Sequence, residues 1–205
     1  GGFGPLALKG KTMGSKIIQT TEGGMRLTDT PDSVGSIEVS TVKAKHWQIG
    51  GICQTVLTLD NVAQTVFFFN DTATTEIYTF PEGRILVLGT TARLQQKTTS
   101  ALASTLNASS TGAIALGTAT ASSTTLESTM VDLLPSTAFT SSATVNVAGT
   151  AVGAALAASA HFDGTGTAKA MFLNTAYATT ADVDGDATQT ISGTITVTWI
   201  NLGDY

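Results

Sequence analysis

A short stretch near the C-terminal end, residues 191–199, alternates between apolar and hydroxyl-bearing side chains and so restricts what the chain can fold into. Its apolar set is Ile191, Ile195, Val197 and Trp199, and its threonine set is Thr194, Thr196 and Thr198. Successive side chains of a β-strand point to opposite faces of its sheet, so the pattern predicts a half-buried strand. We expect the apolar set to lie against an opposing sheet. Because the threonine set has no charge, we expect it to face solvent or a neighbouring subunit.

The composition extends this prediction to the rest of the chain. The 205 residues include 38 threonines and 27 alanines, and only 12% are charged. That mixture favours strands and turns over helices. About eight or nine short strands separated by turn signals predict an all-β fold, a jelly-roll-like β-sandwich with one or two short helices.

The sequence divides at residue 35. Residues 1–35 are rich in glycine and contain turn signals such as Thr30-Pro31, which predict an extended N-terminal arm. Residues 36–205 are long enough for one sizeable core and are predicted to form a single β-sandwich domain. No long apolar span and no classical signal segment is present, so we expect no membrane partner.

Individual strands follow from the same periodicity. Alternating or continuous apolar runs predict strands at residues 36–42, 55–59, 84–89, 113–116 and 142–147. Ile85 and Val87 lie in the most continuous of these runs, so they join Ile195, Val197 and Trp199 as the predicted core.

The remaining elements are predicted from turn and capping signals. Thr124 and Thr125 precede Glu127 at the spacing of a helix start, so a short helix is expected before Pro135. The alanine-rich residues 151–160 fit either a strand of small residues or a second short helix. Residues 169–177 are expected to turn through the acidic residues 182–186 and to pair with the terminal strand as a hairpin.

Residues 70–79 resemble a translated sequencing adapter, and three phenylalanines precede them as a run of thymidines would encode. The resemblance ends at Phe80. Residues 67–79 therefore stay out of every functional argument from sequence, although their alternation is also that of an ordinary strand and turn.

The net charge of −5 is unevenly distributed. Residues 1–50 contain six Lys or Arg against four Asp or Glu, whereas the remaining residues contain four against eleven. Four cations of the predicted arm are candidates for contact with an acidic neighbour: Lys9, Lys11, Lys16 and Arg26. A solvated terminus is an equally simple interpretation. These cations lack interleaved aromatic residues, so we expect no nucleic-acid partner.

Residues that could support catalysis or metal binding are scattered along the sequence. Cys53 is the single cysteine, and His46 and His161 are more than a hundred residues apart. We expect Cys53 to be a small buried residue, and we expect no metal and no cofactor. The acidic residues 182–186 alternate as calcium ligands do, but Gly193 stands where an EF-hand needs glutamate. With no motif for nucleophilic catalysis or phosphate binding, we expect a binding protein and no enzyme.

Four stretches occur in a characteristic order along the chain. They are residues 30–35 (Thr-Pro-Asp-Ser-Val-Gly), residues 80–89, residues 162–165 and residues 193–205. Together they resemble the auxiliary head proteins of tailed bacteriophages, which are also called decoration or cement proteins. Such relatives have a valine- and threonine-rich strand before the Pro-Glu-Gly turn, where this chain has the adapter-like residues.

The resemblance implies a jelly-roll-like domain that forms a homotrimer on the capsid exterior of a virion and bridges neighbouring copies of the major capsid protein. In that setting, the cations of the arm would contact the capsid. The candidates for contact between subunits are Thr194, Thr196, Thr198, Asp204 and Tyr205. A carbohydrate-binding or adhesin-like β-sandwich, displayed on a virion or cell surface, is the alternative. It would need a groove with exposed aromatics, and only 6% of the residues are aromatic.

Overall fold

The protein is a sandwich of two antiparallel β-sheets, as the alternating sequence predicts. The structure, a computed structural model, describes residues 35–37, 39–66, 72–98, 111–140, 145–150, 161–177 and 187–203. Its strands are β1 (Val42–Ile49), β2 (Ile52–Val66), β3 (Thr72–Thr79), β4 (Gly83–Thr98), β5 (Thr111–Gly117), β6 (Leu134–Thr140), β7 (Val145–Thr150), β8 (His161–Gly164), β9 (Ala170–Tyr177) and β10 (Ala187–Asn201).

The strand order is that of a jelly roll with two additional strands. The large sheet runs β1-β2-β10-β4-β7, with β8 also paired to β4, and the small sheet runs β3-β9-β5-β6. Eight strands pair from the outside inward: β2 with β10, β3 with β9, β4 with β7, and β5 with β6. Successive pairs fall in opposite sheets, which is the nested wrapping of a jelly roll. The additional strands β1 and β8 enlarge the first sheet.

The core lies between the two sheets and contains the residues that the sequence placed there. The five predicted core residues are all at most 1% exposed: Ile85, Val87, Ile195, Val197 and Trp199. Ile77, Leu116 and Leu173 meet them from the small sheet and are fully buried. Each such aliphatic side chain contributes about 1.5–3 kcal/mol by leaving water, so burial of one face per sheet accounts for the pairing of the layers.

The hairpin between β1 and β2 turns through two glycines. Gly50 and Gly51 have φ angles of +55° and +87°, a conformation that residues with a side chain adopt at a cost. Two residues in this conformation form the tight turn that matches the twist of paired strands. The turn sets Ile49 directly opposite Ile52, and this register determines which side chains share each face.

β2 contains one more residue than β10 at a bulge, which changes the parity of its buried side chains. Leu57 pairs with Ile195 and Val62 with Ile191, so five steps along β2 match four along β10. Asn61 absorbs the difference with a φ of +54°, and its N–H donates to the Ser192 hydroxyl at 3.0 Å. Because of the bulge, the apolar side chains on both sides of Asn61 point into the core.

The loop between β5 and β6 is fastened to the small sheet by two buried polar side chains. The Asn174 amide donates to the carbonyl oxygens of Ala119 and Met130, each at 2.9 Å. The Asp132 carboxylate accepts the Thr118 N–H at 2.8 Å and the Thr118 hydroxyl at 2.6 Å. Burial raises the pKa of Asp132, although both hydrogen bonds from Thr118 act to lower it.

Four predicted strands correspond to observed ones, and the fifth is wrong. Residues 55–59, 84–89 and 113–116 lie within β2, β4 and β5, and residues 142–147 overlap β7. Residues 36–42 do not form the predicted strand: Ser36 makes an isolated bridge to Thr79, and β1 begins at Val42. The segment crosses from the small sheet to the large one, which leaves Ile37 41% exposed.

The short helix predicted before Pro135 is present, although it is not an α-helix. Ser128–Met130 form a single turn of 3₁₀ helix, and no α-helix occurs in the described residues. The N-terminal residue of that turn, Glu127, makes no capping hydrogen bond through its side chain. The anchors at Asp132 and Asn174 hold the backbone as an open loop instead. Within the described part of the chain, no helix is long and apolar enough to cross a membrane.

The predicted hairpin between residues 169–177 and the terminal strand does not exist. β9 pairs with β3 and β5 in the small sheet, whereas β10 pairs with β2 and β4 in the large one. Nested wrapping places these consecutive strands in opposite layers, so the chain crosses the sandwich between them. The acidic residues 182–186 and the alanine-rich residues 151–160 lie outside the described residues.

The adapter-like segment contributes β3 at the edge of the small sheet. Its residues Thr72–Thr79 pair with β9, and Ile77 and Tyr78 are fully buried. The segment therefore occupies the strand position that the wrapping requires between β2 and β4. Its resemblance to a sequencing adapter stays a prediction, as does the division of the chain at residue 35.

Candidate binding surface

The outer face of the large sheet carries the threonine set of β10. Thr194 is exposed, whereas Thr196 and Thr198 are partly buried. Thr194 lies in register between Thr58 of β2 and Arg93 of β4. Because β10 is an inner strand of this sheet, its threonines form the middle of the outer face.

Cations flank these threonines on both sides. Of the six Lys and Arg residues in the described part of the chain, five lie on the outer face: Lys43, Lys45, Arg84, Arg93 and Lys97. They alternate along β1 and β4 with side chains that point into the sandwich, such as Val42 and Leu94. Two carboxylates share the face, Asp60 and Asp163. The outer face is therefore positively charged, although the whole chain is acidic.

One of these carboxylates is locally compensated. Asp163 lies 3.9 Å from the Arg84 guanidinium, and both side chains are about half exposed or more. The Thr165 hydroxyl and N–H both donate to Asp163, at 2.6 and 3.0 Å. These hydrogen bonds, with a smaller contribution from Arg84, lower the pKa of Asp163.

An apolar row crosses one end of the same face. Ile49, Ile52, Ile200 and Leu86 stand side by side in register on β1, β2, β10 and β4. Ile49 is 51% exposed and Ile52 is 42% exposed. Leu202, just beyond β10, is also exposed. Single exposed isoleucines are ordinary, but a continuous row over four strands is a feature of interaction surfaces.

Three of the four stretches singled out in the sequence meet near this row. Residues 80–89, 162–165 and 193–203 supply β4, β8 and β10 at one corner of the sandwich. Beyond the strands, Leu202 donates its N–H to the Arg84 carbonyl at 2.7 Å, and the Asn201 amide donates to the Glu82 carbonyl at 2.8 Å. The fourth stretch, residues 30–35, is described only at Gly35.

The corner is filled by aromatic rings. Phe80 makes edge-to-face contacts with three of them, with centroid distances of 5.2 Å to Tyr78, 5.2 Å to Phe162 and 5.7 Å to Trp199. Such contacts add about 0.5–1.5 kcal/mol each beyond area burial. Of these rings, Trp199 lies next to Ile200 of the apolar row on β10 and faces the opposite side of the sheet.

A hydroxyl near the corner contacts a histidine, but its burial argues for a structural role. The Thr55 hydroxyl accepts the Trp199 indole N–H at 2.9 Å and lies 3.0 Å from Nδ1 of His46. Thr55 is fully buried, so a substrate has no access to its oxygen. The pKa values of the neighbouring Tyr78 hydroxyl and Cys53 thiol are both raised, chiefly by burial.

The sandwich also has a shallow cleft of about 360 Å³ beside β2 and β3. Short uncharged side chains line much of it, including Thr65, Thr74 and Thr120. Part of the lining belongs to the adapter-like segment. Across the described ranges, no three His, Cys, Asp or Glu residues come close enough together to hold a metal ion.

The predicted contact residues are only partly described. Lys9, Lys11, Lys16 and Arg26 of the arm lie outside the described residues, as do Asp204 and Tyr205. The structure brings Thr194, Thr196 and Thr198 together on one face. Sequence reasoning missed the apolar row and the cations of β1 and β4. The Gly50-Gly51 turn between Ile49 and Ile52 was the available signal for the start of that row.

Comparison with known proteins gives no relative: no protein-family model matches the chain, and no match is found among curated proteins.

Proposed function

We propose that this chain is a non-enzymatic virion structural protein. It binds the outer surface of a phage capsid as an oligomer, a homotrimer by the family resemblance, and cements neighbouring subunits of the major capsid protein. The jelly-roll wrapping is compatible with this role, since viral capsid domains use it, although lectin domains use it as well.

The observation that carries the proposal is the outer face of the large sheet. It combines a hydroxyl-rich middle, flanking cations and a partly exposed apolar row on a sheet whose other face contributes to the core. A surface of this composition can bind a large, nearly flat protein surface such as the outside of a capsid. Many copies on one shell would also make a modest affinity per site sufficient.

A glycan-binding role has less support from the described residues. Sugar sites commonly need exposed aromatic rings around a concavity, yet Tyr78, Phe80, Tyr177 and Trp199 are at most 1% exposed. Trp47 is partly exposed on the outer face.

The direct test mixes the purified chain with phage heads assembled from the same genome without it. Sedimentation of the mixture should carry the chain into the particle fraction, and a density map should show it at symmetry axes between capsid subunits. Heads of an unrelated phage serve as the control. A chain that sediments alone as a monomer, binds a glycan array and stays off the heads would contradict the proposal.

A further inference from the structure

We infer that the outer face of the large sheet is the surface that docks on the shell, and that it takes an acidic protein surface with an apolar strip at one end. This inference rests on the proposed function. It assigns the docking to the sheet face and not to the arm cations Lys9, Lys11, Lys16 and Arg26.

The first argument is charge complementarity. Lys43 and Lys45 line the β1 side of the face, and Arg93 and Lys97 line the β4 side. Apart from Asp163, which already has Arg84 beside it at 3.9 Å, Asp60 is the carboxylate of this face among the described residues. Complementary potentials favour and orient a partner of opposite charge.

The same charges disfavour a second copy in the face-to-face arrangement. A two-fold contact brings the same patch of both subunits together. Here it would set the lysines and arginines of one copy against those of the other, and like charges in contact cost several kcal/mol. The threonine set of β10 would thus meet the shell and not the same face of a second copy.

The second argument is the arrangement of side chains across the sheet. Lys43, Thr58, Thr194 and Arg93 form one row, with a cation at each end and two hydroxyls between. Three strand spacings separate the cations, which is about 14 Å. Hydroxyls can both donate and accept hydrogen bonds, so this row fits two carboxylates with polar backbone or side chains between them.

The third argument is the apolar row, which selects among anionic partners. Covering Ile49 and Ile52 is most favourable when the partner contributes apolar atoms, because its polar groups would lose their own contact with water. Nucleic acid would instead favour stacking aromatics among the cations, and Trp47 is the single Phe, Tyr or Trp on this face among the described residues. A protein surface with apolar and acidic groups matches both the row and the charges.

The experiment measures binding of full-length variants to heads assembled without the chain. Lys43→Glu and Arg93→Glu should each weaken binding about tenfold at low salt, with a smaller loss at high salt because surface charges are screened. Ile49→Ser combined with Ile52→Ser should weaken binding about tenfold with little salt dependence. Lys169→Glu, a reversal of the described cation that lies off this face, is the matched control and should bind like wild type. Unfolding midpoints verify that every variant is folded.

The outcomes separate this inference from the proposed function. If wild type does not bind the heads, the proposed function fails. If wild type binds and the three outer-face variants bind equally well, the docking inference fails while the function stands. Loss of self-association in Lys43→Glu, with head binding retained, would reassign the face to a second copy. The docking inference would also fail if the wild type bound duplex DNA or phosphatidylserine vesicles, and Lys43→Glu abolished that binding without changing binding to heads.

Discussion

The two ends of the core are built from different chemistry. At one end, the rings of Phe80, Phe162 and Trp199 pack edge to face. At the other end, Gln64 and Gln189 lie fully between the sheets, at 4% and 0% exposure. Ten residues along β10 separate Gln189 from Trp199, about 33 Å of extended strand.

The amide end is a connected hydrogen-bond network. Oε1 of Gln189 accepts the Tyr177 hydroxyl at 2.8 Å and the Gln96 amide at 3.1 Å. The Gln189 amide donates to the Thr175 hydroxyl at 2.9 Å and to Gln64 at 3.2 Å. Gln64 in turn donates to the Leu173 carbonyl at 2.9 Å. The network joins β2, β4 and β10 of one sheet to β9 of the other.

The difference teaches how each end contributes to the fold. Aromatic packing buries much apolar surface and tolerates small shifts of one sheet against the other. Buried amides are favourable only when the sheets are aligned so that their hydrogen bonds form. We expect the aromatic end to contribute more to stability and the amide end to fix how the two sheets align. Three variants test this comparison, and a fourth tests the buried Asp132 that anchors the loop between β5 and β6.

Phe80→Ala should have the largest effect. It removes the ring that three others contact and leaves a cavity, which costs about 4 kcal/mol of unfolding free energy. Urea unfolding measures the loss. Phe172→Ala, at a partly exposed position of β9, is the control and should cost less than half as much. Equal losses at both positions would remove the special role of the aromatic end.

Gln189→Leu should be the next largest. It removes the acceptor of two donors and the donor to two acceptors inside the core, at a cost of about 3 kcal/mol. Gln95→Leu on the exposed face of β4 is the matched control and should change stability by at most about 0.5 kcal/mol. A neutral or stabilising Gln189→Leu would mean that the network sets alignment without adding stability, which sharpens the comparison.

Thr55→Val tests the polar contact within the aromatic end. The valine is similar in shape but leaves the Trp199 indole N–H without its acceptor, so we expect a loss of about 1.5 kcal/mol. Thr58→Val, three residues along β2 and exposed, should be nearly neutral. A red shift or quenching change in tryptophan fluorescence without loss of stability would contradict a structural role for this hydroxyl.

Asp132→Asn should have the smallest effect at neutral pH and the clearest pH signature. The raised pKa means that the folded state favours the protonated carboxyl. Below the ordinary pKa both states are protonated and the full stability is present. As the pH rises through the raised folded pKa, the unfolded chain gains more from ionisation and stability falls. Unfolding curves from about pH 3 to pH 7 should show this decline in wild type and its absence in the Asn variant; parallel curves would refute it.

The terminal strand shows what sequence alone can establish. The parity of Ile195, Val197 and Trp199 is a local property, and the structure places all three in the core. The buried glutamines of the amide end could not be predicted from local alternation, because glutamine is usually exposed. Their burial depends on partners such as Thr175, 14 residues away from Gln189 and in the other sheet, which local periodicity does not contain.

The candidate surface was less predictable for the same reason. Its threonine set followed from one strand, but the apolar row requires the register of four strands. β1 was not predicted because its outer face contains the apolar residues Trp47 and Ile49. The strand therefore lacks a regular alternation of apolar and polar residues. The expected hairpin of β9 and β10 assumed that sequence neighbours pair, whereas nested wrapping separates them.

The position of β10 between β2 and β4 has a consequence for biosynthesis. Thr55 and Trp199 are hydrogen-bonded partners 144 residues apart in sequence, and β2 and β4 each pair with β10 in the large sheet. The large sheet can therefore close only after β10 has left the ribosome, long after β2 has been synthesised. Until then β2 and β4 present open edges to other nascent chains, and slow closure of such long-range pairings makes chaperone binding at this stage advantageous.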